Sequence, residues 1–206
     1  MRRLVTALVA AVVVSGCSGA TSGGGPASST TPPLPSTVHN GIVQQPVPLG
    51  TRVVAMSIAD GAAGFEVTYP LVKATGVGAT SLHLPWDKVE SVPGVLAPEP
   101  DYLSIADSFY PTDHIAVSLS LAVVDTVAAR LPPDLADARF DDPAVIDRFE
   151  LFASWAAAHA QHLEIPVIAV GNEVDVYLAA TGRWDEYGAF LDETIPIVHR
   201  LFPGIP

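Results

Sequence analysis

The chain has 206 residues, of which 22 are Asp or Glu and 10 are Lys or Arg, so its formal net charge is −12, and it contains one cysteine. This is the length of one ordinary domain. A single cysteine excludes an internal disulfide and a Cys-x-x-Cys metal or redox pair, and the negative charge argues against a nucleic-acid-binding protein, which needs a basic surface.

The first 16 residues predict a secretory signal. A basic start at Arg2 and Arg3 is followed by residues 4–14, which are apolar apart from Thr6 and too few to span a membrane. Residues 14–17, Val-Ser-Gly-Cys, resemble the lipobox of bacterial lipoproteins, in which cleavage precedes the cysteine and its sulfur is lipidated. We therefore expect a lipid on Cys17 and a body anchored at the extracytoplasmic face of the cell membrane. The alternative is an ordinary secreted protein with a cysteine near its cleavage site.

The next segment, residues 17–50, predicts a tether and a lead-in to the folded body. Gly, Ser, Thr and Pro fill 17 of the 20 positions from 18 to 37. Such a composition offers almost nothing to bury, so we expect it to stay disordered. The folded body is predicted to be residues 51–206.

The body alternates short β-branched runs with amphipathic segments. The runs predict strands over residues 52–58, 79–84, 115–124 and 166–170, and the amphipathic segments predict helices over 64–75, 100–110, 143–162 and 184–201. Asp142 and Pro143 form a typical helix start. The apolar faces are predicted to be Tyr102, Ile105, Ala106 and Phe109 in the second helix, Val145, Ile146, Phe149, Phe152, Ala153 and Ala156 in the third, and Tyr187, Phe190, Leu191, Ile195 and Val198 in the last.

This order of elements predicts an α/β fold with parallel strands. Two architectures fit, a (β/α)8 TIM barrel and an open doubly wound sheet. The first strand is not followed by the Gly-x-Gly-x-x-Gly turn of nucleotide-binding sheets. We therefore favour the barrel, of which this chain contains about the first four βα units.

Polar and aromatic residues follow the predicted strands, where ligands bind in both architectures. They suit sugar recognition, since aromatic faces stack on a pyranose while carboxylates and amides bind its hydroxyls. For each residue taken alone, the favoured interpretation is an ordinary polar group in a wet loop. The candidate substrate-binding residues are Asp60, His83, Trp86, Asp125, Asn172, Asp175 and Tyr177.

Residues 169–173, Ala-Val-Gly-Asn-Glu, resemble the motif that ends the fourth strand in a clan of retaining glycoside hydrolases built on (β/α)8 barrels. The resemblance implies that Glu173 is the general acid/base and that Asn172 binds the sugar 2-hydroxyl. The longer stretch 171–178 is similar to endo-β-1,4-galactanases and related endoglycanases. A general acid must keep its proton near neutral pH, so we expect Val170 and Val174 to shield Glu173 partly from water and Asp175 to lie beside it.

A retaining hydrolase also needs a carboxylate nucleophile, which in the clan follows strand seven, and no residue of this chain matches that motif. The sequence leaves three explanations open: a truncated or split gene product, a half-barrel that pairs with another copy or a partner, or a complete open α/β domain. Asp125 or Asp175 is a less favoured source of the second carboxylate. An incomplete barrel exposes strand edges that favour self-association.

The predicted function is therefore retaining cleavage of β-glycosidic bonds in an oligo- or polysaccharide. A non-catalytic carbohydrate- or solute-binding surface lipoprotein is the alternative, and a structural envelope protein is a third possibility with no positive signal beyond the anchor. We expect no cofactor. We also expect no metal site, because His159 and His162 lie on a helix that the barrel places outside the active rim and the other histidines do not cluster in sequence.

Overall fold

A computed structural model describes residues 53–58 and 64–205, together with the backbone of two short strands, β1 (Val38–His39) and β2 (Ile42–Val43), which pair antiparallel. The chain divides into two compact units, Met1–Arg52 and Val53–Pro206. The predictions for the signal segment, Cys17, the tether and Asp60 lie outside the described residues. Within the described part of the chain, no helix combines the length and apolar composition that a membrane span needs.

The second unit alternates helices and strands, as predicted. Its strands are β3 (Ala79–Pro85), β4 (Ala116–Asp125), β5 (Ala128–Ala129) and β6 (Ile168–Asn172). Its helices are α1 (Phe65–Ala74), α2 (Trp86–Val89), α3 (Tyr102–Phe109), α4 (Pro143–His159), α5 (Val174–Thr181) and α6 (Trp184–Leu201). The four predicted helices and the last three predicted strands are present with small shifts of their ends, whereas α2, β5 and α5 were not predicted.

Strands β3, β4 and β6 form the parallel part of one sheet, in sequence order. Strand β4 lies between β3 and β6 and is parallel to both. The segment 53–58, predicted as the first strand, is joined to β3 only by a parallel bridge between Ala55 and Ala79. Strand β5 folds back antiparallel on the end of β4.

The two faces of this sheet differ in side-chain size. Leu84, Leu119, Leu121 and Val123 point to one face and join Phe149 and other helix residues in a single core. The register places Ser81 opposite Ser118 and His83 opposite Ser120 on the other face. Because neighbouring residues of a strand point to opposite faces, the sheet turns large aliphatic side chains to the helices and small or polar ones away from them.

Helix α4 confirms the predicted start and apolar stripe. The Asp142 carboxylate accepts a hydrogen bond from the Ala144 amide at 2.8 Å, and Pro143 is the first helical residue. In α6 the predicted Ile195 is 38% exposed, and Thr194 is buried in its place. The Thr194 hydroxyl donates to the Phe190 carbonyl at 2.7 Å, which satisfies this polar group inside the core.

Helix α3 buries only part of the predicted face, since Ala106 is buried and Phe109 half-buried whereas the other two predicted residues are exposed. Tyr102 and Ile105 are 61% and 55% exposed, whereas Leu103 is fully buried and Ala106 nearly so. The sequence contains two overlapping apolar stripes one residue apart, and periodicity alone does not choose between them. The choice is consistent with Asp107, whose carboxylate accepts hydrogen bonds from the His162 and Leu163 amides after α4.

One carboxylate lies completely inside the protein. Glu90 has no exposed surface, and it accepts hydrogen bonds from the Trp86 indole at 3.0 Å and the Gly94 amide at 2.6 Å. The Arg148 guanidinium of α4 completes its partners and also contacts Asp134 at 3.2 Å. This pair ties α4 to the segment that follows β3.

Replacing Arg148 by Met is expected to lower the free energy of unfolding by about 2 kcal/mol, because it leaves a buried carboxylate without its counter-ion. Arg200 is the matched control, since it pairs with Glu150 at 2.8 Å on the exposed surface. Arg200→Met is expected to cost less than about 1 kcal/mol. Urea denaturation measures both, and equal losses would show that the Glu90 pair is energetically ordinary.

Candidate active site

The polar groups predicted to meet do so at the carboxyl end of the sheet, around the turn between β4 and β5. Asp125 is the last residue of β4, and Asn172 is the last residue of β6. The Asn172 side-chain amide donates to Asp125 Oδ1 at 2.9 Å, and the Thr126 backbone amide donates to the Asn172 carbonyl at 2.9 Å. These two contacts fasten the end of β6 to the β4–β5 turn.

Glu173 is held by the same turn. The Thr126 hydroxyl lies 2.8 Å from Glu173 Oε2 and donates to it. Both residues adopt positive φ, 53° for Thr126 and 46° for Glu173. Non-glycine residues rarely adopt this conformation, and such strain concentrates at binding and catalytic sites.

The backbone that delivers Glu173 is shaped by Gly171. Its φ is 98°, and a Cβ at this position would lie 2.5 Å from both Tyr187 Oη and Val174 Cγ1. The Tyr187 hydroxyl donates to the Val170 carbonyl, and burial raises the pKa of this hydroxyl. The register of β6 against β4 also shifts between Val170 and Asn172. Glycine and this irregularity together turn the chain so that Asn172 and Glu173 reach the rim.

A charged network surrounds Asp125. Arg130 Nη2 lies 3.4 Å from Asp125 Oδ2, and Arg130 Nη1 lies 3.6 Å from Asp87 Oδ2. The hydrogen bond from Asn172 and the charges of Arg130 and His83 lower the pKa of Asp125 against the opposing effect of partial burial. Asp125 is therefore ionised at neutral pH.

Two other predicted residues, His83 and Asp175, lie at or near this edge, though without the same contacts. His83 is exposed on β3 on the face turned away from the helices, and its charge acts on Asp125. Asp175 is exposed in the first turn of α5. Val170 and Val174 pack against the core, so the apolar wall predicted around Glu173 is not formed there, and the Glu173 side chain is exposed.

Two predicted sugar-binding aromatics lie elsewhere. Trp86 has no exposed surface and stacks on Phe152 with ring centres 5.5 Å apart, so no face of the indole is open to a ligand. Tyr177 packs edge-on against Phe140, and its hydroxyl accepts a hydrogen bond from Arg183 Nη1 at 3.0 Å. The burial of Trp86 contradicts its predicted role, because its indole is used by the core, whereas Tyr177 is half-buried and its role stays a prediction.

Thr126 and Arg130 were not predicted, although they contact the predicted residues directly. Both follow the third predicted strand. The signal available was their position immediately after Asp125, since residues just beyond a parallel strand lie at the edge where ligands bind. Among residues 53–58 and 64–205, no group of three His, Cys, Asp or Glu side chains is arranged to hold a metal ion.

Comparison with known proteins shows which fold the chain resembles but does not assign it to a family. No protein-family model matches the chain, and no curated protein matches it either. Among solved structures, the chain is similar to the exo-β-1,4-mannosidase Op5Man5 from Opitutaceae bacterium strain TAV5, with a TM-score of 0.50 and 20% sequence identity. The matched region covers 64% of this chain and 24% of the mannosidase chain.

At this identity the likeness concerns the fold. The chain has a mixed α/β fold with a parallel sheet, similar to part of a TIM-barrel glycoside hydrolase. It matches about a quarter of the length of that enzyme. The coarse sequence prediction of an α/β fold with parallel strands is thereby confirmed.

Proposed function

We propose that this chain carries the acid/base portion of a retaining β-glycoside hydrolase, with Glu173 as general acid/base and Asn172 as the ligand of the sugar 2-hydroxyl. The observation that carries the proposal is the Asn172–Glu173 pair at the carboxyl end of the last parallel strand. The residues lie in a fold similar to part of a β-mannosidase. The substrate class that this supports is a β-linked oligo- or polysaccharide.

The strand and helix arrangement supports the first four units of a (β/α)8 barrel. The segment 53–58, β3, β4 and β6 follow one another in sequence order. Doubly wound sheets reverse their strand order at a switch point, and these four strands do not. Helices α3, α4 and α6 also pack side by side in chain order, as they do around a barrel.

The contacts of Glu173 leave one of its carboxylate oxygens open to a substrate. Thr126 binds Oε2 and leaves Oε1 as the oxygen that can face a glycosidic oxygen. In the proposed reaction Glu173 gives its proton to the departing sugar oxygen and later removes a proton from the attacking water. Asn172 lies one residue before it and holds the neighbouring hydroxyl.

The second carboxylate is proposed to come from residues that complete the barrel. Both oxygens of Asp125 are already engaged, Oδ1 by Asn172 and Oδ2 by Arg130. These contacts hold Asp125 between Asn172 and Arg130, so we propose a positioning role for Asp125 rather than the nucleophile role left open by the sequence.

A non-catalytic carbohydrate-binding lipoprotein is the second candidate. It is favoured by the exposure of Glu173, together with Trp184 at 50% exposed and Val127 at 72% exposed, side chains that a sugar surface could cover. The lipid on Cys17 and the extracytoplasmic location belong to both candidates. Mass spectrometry of the mature N-terminus tests the anchor, which requires a lipidated Cys17 as the first residue.

Binding of β-1,4-linked sugars tests the site itself. Titrating the full chain with β-1,4-mannotriose or β-1,4-galactotriose is expected to shift the backbone amide NMR signals of Thr126, Asn172 and Glu173. The α-linked maltotriose is the control and is expected to leave these signals in place. Shifts confined to other regions, or equal shifts with maltotriose, would contradict the site. Binding without hydrolysis would favour the lipoprotein candidate.

A further inference from the structure

Arg130 occupies an unusual position between two strand ends. Its guanidinium lies 3.4 Å from Asp125 at the end of β4 and 3.6 Å from Asp87 just after β3. Its backbone is fixed too, since its amide donates to the Val123 carbonyl at 2.8 Å and its carbonyl accepts from the Asp87 amide at 2.8 Å. Arg130 is thus held rigidly by both neighbouring strands.

The ion-pair side chains are partly exposed, 31% for Arg130 and 23% for Asp87. Two of their other polar atoms, Arg130 Nε and Asp87 Oδ1, are buried and have no hydrogen-bond partner in the described part of the chain. The opposite charges close to these two atoms offset part of their lost hydration. A lysine, with one compact ammonium, cannot reach both carboxylates in the way the guanidinium fork does.

Asp125, which pairs with Arg130, also determines the orientation of the Asn172 side chain. An ionised carboxylate only accepts hydrogen bonds, so the Asn172 group that faces it at 2.9 Å must be the NH2 end of the amide. The side-chain carbonyl oxygen of Asn172 and the second proton of its side-chain NH2 group are then left for a ligand. The orientation of the amide holds only while Asp125 remains ionised and pointed toward β6.

We propose that Arg130 is a positioning residue, which fixes the Asn172 side-chain amide through Asp125 and so determines which atoms Asn172 presents to a sugar hydroxyl. The inference deepens the proposed function, since Asn172 is the proposed 2-hydroxyl ligand. Arg130 itself does not touch Glu173 or the proposed reaction centre. No substrate is needed to test it, so its failure and the failure of the glycosidase proposal are distinguishable.

The test follows the Asn172 side-chain amide in the NMR spectrum of the 15N-labelled full chain, assigned by its loss in Asn172→Ala. In the wild type this signal is expected to titrate with Asp125, and its bonded proton is expected to exchange slowly with water. In Arg130→Gln the midpoint of the titration is expected to rise, because the cation that favours the ionised carboxylate is gone. Exchange of the proton is expected to be about tenfold faster.

Charged groups other than Arg130 also surround Asp125, but they are the same in all the variants. A difference between variants in the Asn172 signal therefore reports on Arg130. His83 of β3, Asp87 of α2 and Glu173 before α5 remain in every variant. Arg130→Lys keeps the charge without the fork, so its midpoint is expected to rise less than that of Arg130→Gln. Arg139→Gln is the matched control, since this exposed arginine pairs with Asp141 and Glu186 away from the site.

The variants are expected to give different results depending on whether Arg130 positions Asn172 or not. A raised midpoint and faster exchange in Arg130→Gln, partial recovery in Arg130→Lys and no change in Arg139→Gln would support the positioning role. An Asn172 signal that ignores pH, or that is the same in Arg130→Gln as in the wild type, would overturn it. If Arg130→Gln does not fold, the comparison of Arg130→Lys with the wild type decides alone, because an unchanged exchange rate and midpoint there would show that the fork is not needed.

Discussion

Under the proposed function, replacing Glu173 by Gln is expected to lower kcat/KM for a β-glycoside with a poor leaving group by about 10²- to 10⁴-fold. Glutamine keeps the size of the side chain and the contact with Thr126, since its amide oxygen still accepts from the Thr126 hydroxyl. It carries no proton that can be transferred to the glycosidic oxygen. The loss therefore reports on proton donation rather than on folding.

The leaving group makes this prediction specific. The leaving group of a 2,4-dinitrophenyl glycoside, 2,4-dinitrophenolate, departs without protonation. Cleavage of this glycosidic bond is therefore expected to be far less sensitive to Glu173→Gln than cleavage of an unactivated disaccharide. Glu193→Gln is the matched control, because this exposed glutamate lies on α6 away from the rim. Equal losses with both substrates, or full activity with the disaccharide, would remove Glu173 from the acid/base role.

Replacing Gly171 by Ala is expected to lower the free energy of unfolding by about 3 kcal/mol. The new methyl group would meet Tyr187 Oη and Val174 Cγ1 at 2.5 Å, and the backbone φ of 98° is one that side chains rarely adopt. Crowding a packed site costs about 1–3 kcal/mol, and a strained φ adds to it. Urea denaturation measures the loss.

A matched substitution at Gly182 distinguishes the cost of steric crowding from the cost of the backbone conformation. It also has a positive φ, 73°, but a Cβ there would meet nothing within 4 Å. Gly182→Ala is therefore expected to cost about 1 kcal/mol, the cost of the conformation alone. A second check is Tyr187→Phe, which removes the crowded hydroxyl and is expected to reduce the additional cost of Gly171→Ala. If Gly171→Ala and Gly182→Ala cost the same, close packing around Gly171 is not what requires glycine.

The substitution at Gly171 is expected to affect the candidate site as well as the stability of the fold. Gly171 bends the chain just before Asn172 and Glu173, so a methyl group there is expected to displace both residues as well as destabilise the fold. Amide NMR signals of Thr126 and Asn172 report this displacement under conditions where the variant is still folded. The site thus depends on a glycine that takes no part in the proposed chemistry.

The sequence by itself determined the local features of this protein. The alternation of strand and helix patterns, the Asp142 cap of α4 and the Asn172–Glu173 pair at a strand end are all set by residues close together in the chain. Periodicity and capping act over a few residues, so they can be read without a structure. The parallel sheet follows from the order of the elements.

Only the tertiary structure decided how distant residues meet. Thr126 reaches Glu173, and Asp125 reaches Asn172, across 47 residues in each case, through the parallel pairing of β4 and β6 and the shift in their register. Packing likewise chose which stripe of α3 is buried, and it placed Trp86 in the core rather than at the rim. These outcomes depend on contacts between whole elements, and a local pattern that fits two faces equally well does not encode the choice.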